Sequence, residues 1–245
     1  MSNDNALALR GDFGIGETAD LRRVGAHPDY WYPVAWASDL KPGTACGVQF
    51  AGAPIALVRT ASGRLYALED RCAHRQVPLS LGMVEGERLR CTYHGWTYDC
   101  TGACVDLPYV DIGPARMPNG VRAYPVCEVD GLLLVFPGDP ALAEARKPLR
   151  LGAFGDRHYK TRRLNRHVAA HYSFMHENLM DMNHQFLHRR NMGSIRAKGL
   201  DRRQGADWVE VDYTFSRGGG GGQSLGEKVI VTLGRAKQKA TFTDL

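Results

Sequence analysis

The sequence has no apolar run long enough to cross a membrane. Its most hydrophobic stretch, Leu132 to Phe136, is closed off by Gly131 and Pro137 and reads as a short buried strand. Met1 to Gly16 lacks the basic-then-apolar pattern of a secretory signal, so a cytoplasmic chain is expected. No basic run is interleaved with aromatics, which argues against nucleic acid as a partner. Neither sign of charge dominates, since 31 Lys and Arg against 26 Asp and Glu leave a net charge of +5. There are six cysteines, in a chain expected to be cytoplasmic. In a reducing compartment they belong to metal sites or to the core. What remains is a chain of 245 residues, 44% hydrophobic and 23% charged, able to bury one large core or two small ones.

Residues 1–28 are polar and Gly-rich and read as an N-terminal lead. Folded structure is expected from Trp31-Tyr32-Pro33-Val34-Ala35-Trp36 onward. Between residues 46 and 138 short strand patterns alternate with turn signals. Ile55 to Arg59 and Arg64 to Glu69 flank Ala61-Ser62-Gly63, and Trp96 to Cys100 and Ala103 to Asp106 flank Thr101-Gly102. Tyr124 to Val129 and Leu132 to Phe136 flank Asp130-Gly131, a strong hairpin signal. An all-β domain over 29–148 follows, with a linker containing Pro140 and Pro148, and then a second domain over 149–245. In that second part Asn165 to His188 has no Gly or Pro and predicts a helix. Trp208 to Phe215 and Lys228 to Leu233 predict strands, with Gly218 to Gly222 as a hairpin tip. A phosphate-cradling loop would need a following helix and a Lys-Ser/Thr pair, neither of which the sequence offers, so a flexible hairpin tip is the expectation.

Two short segments carry chemistry: Cys72-Ala73-His74 and Cys91-Thr92-Tyr93-His94. Each offers one thiolate and one imidazole. A structural zinc site usually pairs cysteine with cysteine and histidine with histidine in neighbouring positions. Mixed loops suit a two-iron cluster held by two thiolates on one iron and two imidazoles on the other. Cys46, Cys100, Cys104 and Cys127 fall within strand patterns and are expected to be buried and inert.

A second pattern lies on the expected helix. Glu177, Asp181, His184 and His188 are spaced 4, 3 and 4 residues apart. At about 100° per residue they would share roughly 60° of arc. Met175, Leu179, Met182 and Phe186 would take the opposite face. A solvated face usually pairs Lys with Glu, yet no Lys occurs between 161 and 197. Two histidines at i and i+4 can hold one metal, and two histidines with one carboxylate are the usual ligand set for non-haem Fe(II).

The segments Cys72-Ala-His74-Arg75-Gln-Val-Pro78-Leu79-Ser80-Leu-Gly82 and Cys91-Thr-Tyr93-His94-Gly95-Trp96 resemble the Rieske loops of aromatic-ring-hydroxylating and O-demethylating oxygenases. They lack the additional cysteine that respiratory Rieske proteins carry in each loop. Glu177-Asn178-Leu-Met-Asp181-Met-Asn-His184-Gln-Phe-Leu-His188 resembles the iron-site segment of the same family. The family commonly has four residues between its two iron histidines, whereas three separate His184 from His188.

The resemblance implies an α+β chain: an all-β Rieske [2Fe–2S] domain, then part of a helix-grip catalytic domain of antiparallel sheet plus helix. It implies Cys72, His74, Cys91 and His94 as cluster ligands, with His184 and His188 on a mononuclear Fe(II). Asp181 would bridge His184 to His94 of a neighbouring subunit in a homotrimer, Glu177 would support it, and His167, His171 and His176 have no assigned role. Electrons from NAD(P)H would arrive through a ferredoxin or flavin reductase, and O2 would hydroxylate or demethylate an organic, aromatic substrate. The net charge of +5 reads first as a soluble surface with a mild basic bias, and the sharper reading is a docking face for an acidic electron donor. The family's third iron ligand is a carboxylate on a later helix. Asp201, Asp207, Asp212 and Asp244 lack that context, so a C-terminally truncated oxygenase subunit is expected. The rival readings are a Rieske ferredoxin-like electron carrier with an oxygenase remnant, and a zinc-stabilised protein without activity.

Overall fold

The computed structural model describes residues 21–23, 25–108, 110, 116–181, 184, 187–188, 195–205 and 208–217. They divide into two units, one within Gly25–Asn165 and the other from Arg166 onward, which also takes in Leu21–Arg23. Among the described residues no helix is long and apolar enough to cross a membrane.

The first unit contains strands β1 (Tyr32–Trp36), β2 (Thr44–Phe50), β3 (Ala53–Arg59), β4 (Leu65–Glu69), β5 (Met83–Glu85) and β6 (Arg88–Arg90). It continues with β7 (Thr97–Tyr98), β8 (Cys104–Asp106), β9 (Ala123–Tyr124), β10 (Val126–Val129), β11 (Leu132–Val135) and a one-turn helix α1 (Pro140–Ala143). Three antiparallel sheets result, in the orders β2-β3-β4-β9, β5-β6-β7-β8 and β1-β11-β10.

Strand β3 explains why they stack. Its residues Ile55 to Val58 are all buried, so it is covered on both faces and reads as a continuous apolar run. Ala56 and Val58 join Tyr66, Leu68, Cys72, Leu79, Leu89, Cys91, Tyr98 and Cys104 in one core. Ile55 and Leu57 turn the other way and join Leu40, Ala67, Tyr124, Leu133 and Val135 in a second. Each fully buried Leu or Ile contributes about 1.5–3 kcal/mol by leaving water. The first core carries both cysteine loops on its edge, so packing positions the site.

The three expected hairpins are present as β3–β4, β7–β8 and β10–β11. At the last, Asp130 and Gly131 both have positive φ (52° and 76°), the backbone that a tight two-residue hairpin turn demands. Pro125 separates β9 from β10, so Ala123–Tyr124 pairs with β4 while Val126–Val129 pairs with β11.

The second unit holds helix α2 (Tyr172–Met180) and the hairpin of β12 (Ile195–Gln204) with β13 (Val209–Arg217). The helix expected from Asn165 to His188 is therefore much shorter. His171 caps its start, accepting from the Ser173 N–H, and Asp181 caps its end in extended geometry (φ −90°, ψ 96°). Two physical reasons stand out. Met175, Leu179 and Met180 are exposed, so no apolar face is anchored to enforce further turns. Asp, Asn and His are also poor helix formers that bond to nearby backbone instead. Strand β12 went unpredicted because Ile-Arg-Ala-Lys-Gly-Leu-Asp-Arg-Arg-Gln lacks a period-2 apolar pattern. The expected strand over Lys228 to Leu233 and the Gly218 to Gly222 tip lie outside the described residues.

Candidate metal centre

The two cysteine loops are built alike. In the first, the Cys72 N–H donates to Val77 O (2.9 Å) and the Gln76 N–H donates to Cys72 O (2.9 Å). In the second, the Cys91 N–H donates to Trp96 O (2.9 Å) and the Gly95 N–H donates to Cys91 O (3.0 Å). Each loop thus folds its fifth residue back on the cysteine, and that residue has positive φ: 62° at Gln76 and 74° at Gly95. A Cβ on Gly95 would sit 2.6 Å from Pro108 Cγ, so glycine is required there for space as well as conformation.

Depth separates the two ligand types. Cys72 and Cys91 are each 2% exposed, whereas His74 is half-buried and His94 is exposed. The imidazoles face each other with ring centroids 4.6 Å apart. Trp96 stacks on His74 (4.8 Å, 5° between planes), and Tyr93 lies 3.9 Å from the His94 ring. The carboxylate of Asp70 accepts from the Ser80 N–H and hydroxyl, both at 2.6 Å, and pins the return of the first loop. A shallow depression of about 680 Å³ runs over the histidine side, bordered by exposed Tyr93, Met83 and Val110.

These side chains fit a metal cluster. His74 Nδ1 is buried and has no hydrogen-bond partner, a costly state unless it ligates something. Burial, then the charges of His94 and Arg75, hold the His74 pKa below the usual histidine value, which favours the neutral, ligating form. Burial pushes the Cys91 thiol up, and Cys72 beside it adds to this, while the backbone N–H groups of Tyr93 and His94 pull it down. A cation between the loops would relieve that cost by stabilising the thiolates. Among the described residues no three His, Cys, Asp or Glu converge on a single ion.

Sequence reading missed Tyr98. Its hydroxyl lies 3.2 Å from Cys72 Sγ and accepts from the Ala73 N–H at 3.0 Å, and burial raises its pKa. The available signal was a tyrosine four residues after the second histidine, inside an apolar strand. All six cysteines are free thiols. Cys104 is buried as expected, but Cys46, Cys100 and Cys127 are only half-buried.

In the second unit the rings of His184 and His188 come within 5.3 Å, edge to face. They do so beyond the end of α2. His184 Nδ1 bonds the Asp181 carbonyl, which leaves Nε2 as the free ring nitrogen. Glu177 is exposed on α2, and His176 lies edge-on to Tyr172. Of the candidate acids, Asp212 accepts from Arg203 at 2.9 Å and Asp201 lies 3.9 Å from the same guanidinium. Asp207 and Asp244 lie outside the described residues.

Antiparallel sheets presenting two Cys–His loops from a shared core define a Rieske-type domain, and residues 30–125 match the family model of the Rieske [2Fe-2S] domain. Residues 168–224 match the vanillate O-demethylase oxygenase C-terminal domain. The chain thus carries a Rieske domain followed by an oxygenase C-terminal domain segment, and its relatives are Rieske oxygenase subunits. It is 42% identical over 196 residues to the 4beta-methylsterol monooxygenase of Methylococcus capsulatus, covering 79% of this chain and 53% of that protein. It is 38% identical over 175 residues to the oxygenase component of dicamba O-demethylase from Stenotrophomonas maltophilia, covering 70% and 50%. Dicamba monooxygenase bound to 3,6-dichlorosalicylic acid superposes with a TM-score of 0.70 at 30% identity, covering 84% of this chain and 60% of that one. The chain thus spans about half the length of these two curated relatives.

Proposed function

We propose that the chain is the iron-bearing part of an oxygenase that hydroxylates or oxidatively demethylates a small organic, aromatic substrate.

 In this reading the Rieske domain spans residues 29–148 and the catalytic domain begins at 149. Cys72, Cys91, His74 and His94 hold the [2Fe–2S] cluster, and His184 and His188 hold a mononuclear Fe(II). When bound, the cluster supplies one-electron transfer and the ferrous ion supplies dioxygen activation.

The chain's own residues do the positioning. Buried Cys72 and Cys91 shield the thiolate side from water, while His94 keeps the imidazole side at the surface. The exposed side chains of Tyr93, Met83 and Val110 around it form the docking rim for a ferredoxin or flavin reductase that draws on NAD(P)H. The Asp181 carbonyl bonds His184 Nδ1, and Nε2 would be the nitrogen that holds the metal. In a homotrimer the Asp181 carboxylate links His184 to His94 of a neighbouring copy. The compartment is the cytoplasm.

The observation that carries this reading is the buried, unpartnered Nδ1 of His74, placed with His94 and two buried thiols at the meeting of two like-built loops. The test is anaerobic reconstitution followed by metal analysis and a single turnover with O2. Three irons per chain and an oxygenated product are expected. Two irons and no product from a panel of methoxylated and methylated aromatics would leave an electron carrier instead.

A further inference from the structure

We propose that Asp70 is a positioning residue of the metal centre: its carboxylate latches the first cysteine loop shut through Ser80 and thereby governs how firmly the chain holds the cluster. The inference rests on the reading that Cys72 and His74 are cluster ligands.

The latch spans the whole loop. Asp70 follows directly on β4, and its own N–H donates to Pro54 O at 3.0 Å, so its backbone is tied to the sheet. Ser80 stands at the far end of the loop, next to Leu79, which is fully buried in the core that carries both loops. Between them run residues 71–79, with Cys72 and His74 among them. The Ser80 N–H donates to Asp70 Oδ1 and the Ser80 hydroxyl to Oδ2, each at 2.6 Å. One residue thus engages both carboxylate oxygens, and such paired, charge-assisted bonds fix geometry as well as energy. Closing a loop costs chain entropy, and a clamp across its ends offsets that cost before any metal arrives.

Strand β2 leaves room for the latch. Gly47 lies in the middle of β2, opposite Ala56 of β3. A Cβ there would sit 2.8 Å from Ser80 Oγ and 2.9 Å from Asp70 Oδ2. A glycine inside a strand weakens it, and here space at the clamp accounts for its presence. The second loop is held in another way. Arg90 Nε and the Thr97 hydroxyl both donate to Gly95 O, at 3.4 and 3.0 Å, a carbonyl within the loop. The first loop depends on the carboxylate instead. Its two internal backbone bonds, between Cys72 and Val77 and between Gln76 and Cys72, tie the tip but not the ends. With the latch gone, the His74 ring would take up more than one orientation, and iron would leave the site faster.

The experiment compares the full chain with Asp70→Ala and Asp70→Asn after anaerobic reconstitution of the cluster. Two quantities are read: the rate at which an iron chelator bleaches the visible absorption, and the line shape of the reduced cluster in electron paramagnetic resonance. Asp70→Ala should lose the cluster about tenfold faster, as expected for removing hydrogen bonds to a charged group. Its resonance line should also broaden, because the His74 ring is no longer held in one orientation. Asp70→Asn can still accept from the Ser80 N–H and donate to the hydroxyl, so it should fall between the two on both readouts. An unchanged loss rate in Asp70→Ala overturns the proposal. So does faster loss with the parent line shape, which is what a merely structural role would give. If Asp70→Ala does not load, Ser80→Ala decides, since it keeps the backbone bond and removes only the hydroxyl. It should lose the cluster faster than the parent, and an equal rate overturns the proposal. A parent protein with no Rieske spectrum would refute the ligand assignment itself, an outcome separate from a failed Asp70 effect.

Discussion

The imidazole of His74 lies flat on the indole of Trp96, with ring centroids 4.8 Å apart and planes 5° from parallel. The stack holds the ring plane of a ligand whose other neighbours are an exposed turn and a second imidazole. Aromatic pairs of this kind contribute about 0.5–1.5 kcal/mol beyond their buried area. Trp96→Leu should therefore lower the stability of the loaded protein by at least about 1 kcal/mol. Denaturant titration followed through the cluster absorbance checks it, and an unchanged midpoint would remove the stack from the account.

The two metal assignments separate by substitution. Cys91→Ala should abolish the visible Rieske absorption, because a two-iron cluster cannot be held by three ligands of this loop pair. His184→Ala should keep that absorption and lose one iron per chain. Iron and sulfide analysis beside the spectrum reads both. Loss of the cluster in His184→Ala, or a full iron complement in it, would count against the second site.

Gly95 and Gln76 occupy equivalent places in the two loops but differ in tolerance. Gly95→Ala forces a Cβ to 2.6 Å from Pro108 Cγ at a φ of 74°. We expect a cost of about 1–3 kcal/mol and poorer cluster loading. Gln76 already accepts a φ of 62°, so Gln76→Gly should move stability by about 1 kcal/mol or less. Thermal melts of the two variants make the comparison, and equal losses would contradict the steric argument.

Arg163 fixes the carboxylate of Asp39 through paired hydrogen bonds and stacks 5.0 Å from the Trp36 ring. The hydrogen bond from Arg163 holds the Asp39 carboxyl below the usual carboxylate range. Because the folded-state value is the lower one, the stabilisation is present at neutral pH and fades as pH falls through the carboxylate range. Arg163→Leu should return Asp39 towards its ordinary value, as read by carboxyl-carbon NMR titration. An Asp39 titration that does not move would assign the depression to another group.

Much of the first unit was legible because its signals are local. Asp130-Gly131 and Gly102 announce turns through residues that tolerate positive φ, and the Cys-x-His and Cys-x-x-His segments announce ligands through side-chain chemistry. The second unit was less legible. Counting from Glu177 to His188 put four ionisable residues on one helical face, but the helix ends at Met180. A spacing argument holds only while the backbone keeps its period, and here no buried face kept it. His184 and His188 still approach each other, their rings 5.3 Å apart.

The donor atoms were determined by the sequence alone: two thiols, two imidazoles and the turns that separate them are covalent facts, independent of packing. Depth and pairing were decided only in three dimensions. Tyr98 reaches Cys72 from 26 residues away, and Asp70 reaches Ser80 from 10. No local pattern encodes such contacts, because they exist only after β3 has buried both faces and brought the loops to one edge of the same core.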